Sequence, residues 1–267
     1  MTATAPGLRR IAAARMRTAL TYRQNVLLLQ VIVILNIFIL SRLWTTLFEG
    51  RQTVDGMTLH AFLLYLTVVN LQSWIFTDFT VSQYVYERVR TGEVVFDLMR
   101  PIGFIPQLLA HMAGSHLFMA LSVVVALPVV MVVGTLAAPA STAALALYLP
   151  ALLCGYVISV LMAVLLSMVA FWTVETSGFT VLYRLINQFF AGTMLPVSLF
   201  PEPLRILAAL LPFQSTGYVP AAIYVGRIEG GEALRALAFQ GVWILVLTLA
   251  AAAVWHRGRR RIAVQGG

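Results

Sequence analysis

The sequence predicts an all-α integral membrane protein of six transmembrane helices with both termini in the cytoplasm. Three observations carry that expectation. Six apolar stretches, 26–48, 59–79, 105–133, 143–172, 179–199 and 233–255, each reach the length of a bilayer crossing, which takes roughly 20 mostly apolar residues. Hydrophobic residues make up 60% of the 267 and charged residues only 10%, where a soluble domain carries about 25% charged residues. The mean hydropathy is +0.89. Finally, the arginines fall unevenly on the two sides these spans define. Arg9, Arg10, Arg15, Arg17, Arg23, Arg88, Arg90, Arg100, Arg184, Arg257, Arg259, Arg260 and Arg261 share one side, against Arg42, Arg51, Arg205, Arg227 and Arg235 on the other. Excess Arg marks the cytoplasmic face, and an even number of spans returns both termini to it. The net charge of +8 is then mainly a topology signal with some attraction for anionic lipid. Too little chain lies between or beyond the spans for a second, soluble domain, so residues 1–267 read as one membrane domain and nucleic acid is not an expected partner.

Taken in order, the N-terminal segment places Leu8, Ile11, Ala12, Met16, Ala19 and Leu20 at helical spacing, interrupted by Arg15 and surrounded by arginines. That pattern predicts an amphipathic helix on the cytoplasmic membrane surface, with a partly ordered basic leader as the alternative. Its basic region and first apolar run are both longer than those of a cleaved signal peptide. After the second span the chain reads ERVRTGEVVFDLMRPIG over 87–103. Gly92 interrupts the helix arriving from that span. Val94, Val95, Leu98 and Met99 then form an apolar stripe flanked by Glu93, Asp97 and Arg100, and Pro101 turns the chain into the third span. A short cytoplasmic amphipathic helix results, and its spacing is equally compatible with lying in the headgroups and with docking into a groove on a soluble protein. Beyond the fifth span, Pro196, Pro201, Pro203 and Pro212 forbid a continuous helix over 190–213. The segment is nevertheless too apolar for a solvated loop. A broken, partly re-entrant hairpin on the outer side fits, with an apolar loop against the headgroups as the alternative.

The residue inventory excludes several chemistries. There is no lysine, hence no phosphate-cradling P-loop lysine and no Walker-type ATPase in this chain. Nucleophile-elbow, HExxH and Cys–His constellations are lacking as well, so no catalytic residue is assigned. His111 and His116 are five apart and face different ways on a helix; no metal site is expected. Cys154 stands alone, permits no intrachain disulfide and reads as a packing residue. No carboxylate falls at the centre of a span, which argues against proton- or sodium-coupled transport. Asp78 and Arg184 lie near span ends, and Arg42 is placed to snorkel. Asn70, Gln72, Ser73 and Trp74 on the second span and Asn187, Gln188, Phe189 and Thr193 on the fifth are candidate cavity residues, with helix–helix hydrogen bonding as the other reading. Glu175 occupies the short cytoplasmic turn before the fifth span.

Two segments resemble a family, the ABC type 2 exporter permeases, specifically the six-span subfamily encoded beside a separate ATPase. Its Gly-x-x-x-x-x-Leu-x-Arg-Pro element between spans two and three is matched by Gly92, Leu98, Arg100 and Pro101. Its run after span five is matched by Phe190, Gly192, Pro196, Phe200, Pro201, Leu211, Pro212 and Phe213. The resemblance implies a permease subunit exporting a hydrophobic or amphipathic compound across a bacterial plasma membrane. It further implies two permeases, identical or related, above two ATPase subunits that hold ATP and Mg, with no cofactor in this chain. The 87–101 segment becomes a coupling helix, with Glu87, Arg88, Gly92, Glu93, Asp97, Leu98, Arg100, Pro101 and Glu175 as ATPase-coupling residues. Asn70, Trp74, Asp78, Arg184, Asn187, Gln188, Phe189 and Thr193 become the substrate pathway. The outer gate falls to Phe190, Gly192, Pro196, Phe200, Pro201, Pro212 and Phe213. An ATPase-independent secondary transporter or channel is the competing expectation.

Overall fold

Long apolar runs with few breakers give long helices here, and the breakers set where each one stops. The computed structural model describes residues 4–21, 23–76, 80–173 and 176–265. Helices α1 (Thr4–Thr21) and α2 (Arg23–Leu47) open the chain. It then reverses through a small antiparallel hairpin of β1 (Thr53–Val54) and β2 (Met57–Thr58). Asp55 and Gly56 turn that hairpin with φ of 53° and 74°, the type I′ geometry that Asp-Gly favours. Next come α3 (Leu59–Phe76), α4 (Thr80–Arg90) and the five-residue α5 (Val94–Leu98). The helices α6 (Phe104–Val133) and α7 (Thr142–Met168) follow, the second capped by Ser141, whose hydroxyl accepts from the Ala144 N–H at 3.0 Å. The chain ends through α8 (Ser177–Phe190), α9 (Glu202–Leu210), α10 (Tyr218–Tyr224) and α11 (Gly230–Gln265).

Among the described residues, five runs are long and apolar enough to cross a membrane: Gln30–Leu47, Leu59–Arg90, Phe104–Val133, Thr142–Phe171 and Gly230–Arg260. The bent pair Glu202–Leu210 and Phe213–Tyr224, meeting at 74°, makes a sixth if counted as one span. The expected fifth span, 179–199, is not a continuous helix. Its helical part, α8, has 14 residues, about 21 Å at 1.5 Å per residue, short of the roughly 30 Å hydrocarbon core. The chain leaves the helix at Gly192, whose φ is +76°, and Pro196, with no N–H to donate and a ring that crowds the carbonyl four residues back, keeps one helix from running through the segment.

The molecule has two recognisable ends. At the hairpin end, Trp44 and Phe48 pack on Phe62 with ring centroids 4.4 and 5.3 Å apart, and Arg227 holds Asp55 at 2.8 Å. At the α5 end, Phe104 stacks on Trp255 at 5.0 Å, with Phe171 6.0 Å from the same indole. Between them α7 packs against α4, α10 and α11.

Helix α1 has a protein surface to lie on as well as any membrane. Its half-buried face runs through Leu8, Ile11, Ala12, Arg15 and Met16, and it packs along α6. Gly114 makes the approach possible, because a Cβ there would overlap the Ala12 carbonyl. Arg15, which breaks the apolar pattern in the sequence, belongs to the packed face: its Nε donates to the Ser115 hydroxyl at 2.9 Å.

Candidate functional site

Breaking a helix inside an apolar layer leaves carbonyls that water cannot reach, and each needs a donor from the protein. Three consecutive ones are met here. Tyr65 Oη donates to the Gly192 carbonyl at 2.8 Å, Asn70 Nδ2 to that of Thr193 at 3.0 Å and Trp44 Nε1 to that of Met194 at 3.3 Å. Tyr65 and Asn70 stand six and eleven residues beyond Leu59, about 9 and 16 Å along α3 from the hairpin end. The irregular backbone is therefore deep, and it occupies the depth that α8 does not span. Gln72 performs the same service on the return path, donating to the Gly217 carbonyl at 2.5 Å.

Beside this break lies a cleft of about 160 Å3, lined by Ile32, Val33 and Asn36 from α2, Asn70, Ser73 and Trp74 from α3, Arg184, Asn187 and Gln188 from α8, and Thr193. Seven of the eight polar or aromatic positions anticipated on the second and fifth spans were split by the structure into two duties. Asn70 and Thr193 spend their polar atoms on backbone, Thr193 Oγ1 donating to the Gln188 carbonyl at 2.9 Å, and Gln72 turns away from the cleft altogether. Ser73, Trp74, Asn187 and Gln188 face it with Arg184. The cavity is smaller than the roughly 300–1,000 Å3 of a typical small-molecule site. Moreover, none of the α8 side chains is buried, although the helix is strongly apolar on one side. In this single chain the cleft is a half-open wall.

At the opposite end α5 is held between two turns, Gly92 with φ +76° on one side and Pro101 to Gly103 on the other. Its inner face is Val94 and Asp97, three residues apart, and Asp97 is 1% exposed. Two guanidinium groups flank that carboxylate: Arg88 Nε is 3.4 Å from Oδ2 and Arg100 Nη1 is 3.2 Å from Oδ1. The second contact is an ion pair without hydrogen-bond geometry. Tyr84 Oη donates to Oδ2 at 3.4 Å, and Gln107 Nε2 donates to the Asp97 carbonyl at 2.8 Å. The outer face is wholly apolar: Val95, Phe96, Leu98 and Met99 are exposed, Phe96 by 66% and Met99 by 76%.

The sequence pattern of a family described as ABC-2 family transporter protein matches residues 30–266. The chain belongs to that family. No curated protein matches it. Membership makes it an integral membrane permease component of an ABC transporter, and the family implies association with an ABC ATPase.

In this ABC-2 permease the anticipated residues fall into three places. Asn70, Trp74, Arg184, Asn187, Gln188 and Thr193 meet at the cleft, whereas Phe189 does not line it. Phe189 stacks instead on Phe200 at 4.8 Å, in an aromatic cluster with Phe190 and Phe213, which lie 6.2 Å apart. Gly192 and Pro196 shape the broken backbone above that cluster, while Pro201 and Pro212 precede short helical turns. On the α5 end, Glu87, Glu93, Leu98, Arg100 and Pro101 are exposed and Arg88 half-buried. Two expectations for α5 need correction. Val94 belongs to the inner face, not to the exposed stripe, and Asp97 is enclosed by arginines and so is unavailable as a surface contact. Asp78 and Glu175 lie outside the described residues. The sequence reading passed over Phe96 and Asn36. Asn36 has a signal, being with Gln30 one of two amides in the apolar run 26–48; for Phe96, the exposed set is 95, 96, 98 and 99, so it takes the place that the expected stripe gives to Val94.

Proposed function

We propose that this permease is the transmembrane subunit of an exporter driven by separate ATPase subunits, moving a hydrophobic or amphipathic compound out of a bacterial cell. The observation that carries the reading is α5: a short helix, fixed from behind, that presents four apolar side chains with no cover. An apolar helix face of this kind suits a groove on a soluble protein, and the ATPase implied by the family is the fitting occupant. ATP and Mg are then bound by that subunit, and this chain performs no catalysis of its own. The α5 end faces the cytoplasm in this reading, in keeping with the arginine distribution, and the hairpin end faces out. The half-open cleft and the unburied α8 support pairing with a second permease, identical or related, which would close the cleft into a substrate pathway beneath the Phe189, Phe190, Phe200 and Phe213 cluster.

The test is a pull-down of the tagged chain from native membranes in mild detergent, alongside the Phe96→Asp variant. An ABC ATPase recovered with the wild type and lost with the variant is the expected result. Equal recovery from both would remove α5 as the contact. Wild-type protein recovered without an ATPase, and still active in liposomes lacking ATP, would refute the energy source.

A further inference from the structure

A five-residue helix has no stability of its own, since one turn costs more to nucleate than it returns. Its orientation must come from what it is tied to. On either side α5 is joined through a turn that contains a glycine, Gly92 with φ +76° and Gly103, so a load on its outer face would bend the chain there unless something bridges the turns. The bridge is Asp97. Through Arg88 and Tyr84 its carboxylate reaches α4; through Arg100 and Gln107, whose Nη1 and Oε1 are 3.0 Å apart, it reaches the first turn of α6. Gln107 closes the ring by holding the Asp97 and Ile102 carbonyls, each at 2.8 Å. Arg88 is itself steadied by Glu93 at 2.9 Å and by lying 5.3 Å from the Tyr84 ring centre.

We infer that Asp97 is a positioning residue: its buried carboxylate locks α5 to α4 and α6 so that a push on Phe96 and Met99 moves both helices instead of folding the loop. The inference rests on α5 being the docking helix. It assigns the acid a role in passing on the motion and none in gripping the ATPase.

Two measurements test it, both on the full chain with Asp97→Asn and with the milder Arg100→Gln, whose side chain is 43% exposed and easily spared. The first is amide hydrogen exchange in nanodiscs without any ATPase. Loss of one charge-assisted contact should speed exchange over 93–100 about tenfold or more, and leave 108–130 unchanged. Unaltered exchange in both variants would overturn the clasp whatever α5 docks against. The second uses the complex with its ATPase and a Ser73→Cys, Cys154→Ala background, reading N-ethylmaleimide labelling of the cleft with and without ATP and vanadate. Asp97→Asn should keep ATPase association and hydrolysis but lose most of the nucleotide-dependent change in labelling, and Arg100→Gln should lose part of that change. A wild-type response in both variants would overturn the positioning role. Lost association in Asp97→Asn would place the acid in docking and equally overturn it. If the wild type itself binds no ATPase, the docking reading fails, and this inference with it, while the exchange result still reports on the clasp.

Discussion

Gly192 and Tyr65 should be energetically coupled, and the structure fixes both the sign and the size. Gly192 has φ +76°, a conformation that costs a residue with a side chain about 1–2 kcal/mol. A Cβ added there would sit 2.6 Å from Tyr65 Oη, so it must drive away the hydroxyl that now satisfies the Gly192 carbonyl. Leaving that buried carbonyl unmet costs about 1–3 kcal/mol. Gly192→Ala should therefore destabilise by about 2–5 kcal/mol, the sum of the two effects. Tyr65→Phe keeps the ring but removes the donor, at about 1–3 kcal/mol. In the Tyr65→Phe background the collision and the bond are both already gone, so adding Gly192→Ala should cost only the conformational part. The other neighbours, Tyr218 Cβ at 3.2 Å and the Leu195 carbonyl oxygen at 3.5 Å, are tight but not prohibitive. The double variant should thus be more stable than the sum of the singles by about 1–3 kcal/mol. Reversible unfolding of the purified chain in mixed micelles by SDS, followed by tryptophan fluorescence, measures all four corners. Additivity within about 0.5 kcal/mol would refute the account of how the helix break is held.

Gly114→Val should lift α1 from α6, because the new side chain occupies the position of the Ala12 backbone; limited trypsin digestion in nanodiscs should then cut at Arg9, Arg10 and Arg17 faster than in the wild type. Gln240 is fully buried and its Nε2 donates to the Ala151 and Ser215 carbonyls at 3.1 and 2.9 Å. Gln240→Leu strands both, but it also removes a buried Oε1 that has no partner, so the same unfolding assay should give a loss of only about 1–3 kcal/mol.

Membrane composition, the five long helices and the α4–α5 break were legible in the sequence because each rests on a local property: apolar length, or a glycine in the right place. The cleft was legible in part, since polar residues in apolar runs are few and the fold gathers them. What the sequence could not separate was duty. Asn70 and Asn187 look alike as amides in apolar runs, and only the path of residues 191–194 decides that Asn70, though at the cleft, spends its Nδ2 on backbone. The interior of α5 was misread for a related reason. A carboxylate is expected to face water, and its burial depends on Arg88 and Arg100 converging from opposite sides, a tertiary fact with no period to reveal it. The Asp55-Gly56 hairpin, by contrast, carried a strong local signal that an emphasis on spans overlooked.

The arrangement of donors has a mechanical consequence. Tyr65, Asn70 and Gln72 all belong to α3, so any displacement of α3 either carries residues 192–193 and 217 with it or breaks their hydrogen bonds, at about 0.5–1.5 kcal/mol each. Carrying them is the easier course. Helix α8 is tied differently: Thr193 Oγ1 donates to its Gln188 carbonyl at 2.9 Å, Tyr183 packs 6.3 Å from Phe213, and the helix runs directly into the break at Gly192, whose φ is +76°. Motion of α3 relative to α8 would therefore turn about Ala191 and Gly192. The walls of the cleft that would shift against each other are Ser73 and Trp74 on one side and Asn187 and Gln188 on the other. The two walls thus differ in their attachment, one bonded to the broken segment by side chains from α3 and one continuous with it through Gly192, and a conformational change would alter the width of the cleft before it disturbed the broken backbone beside it.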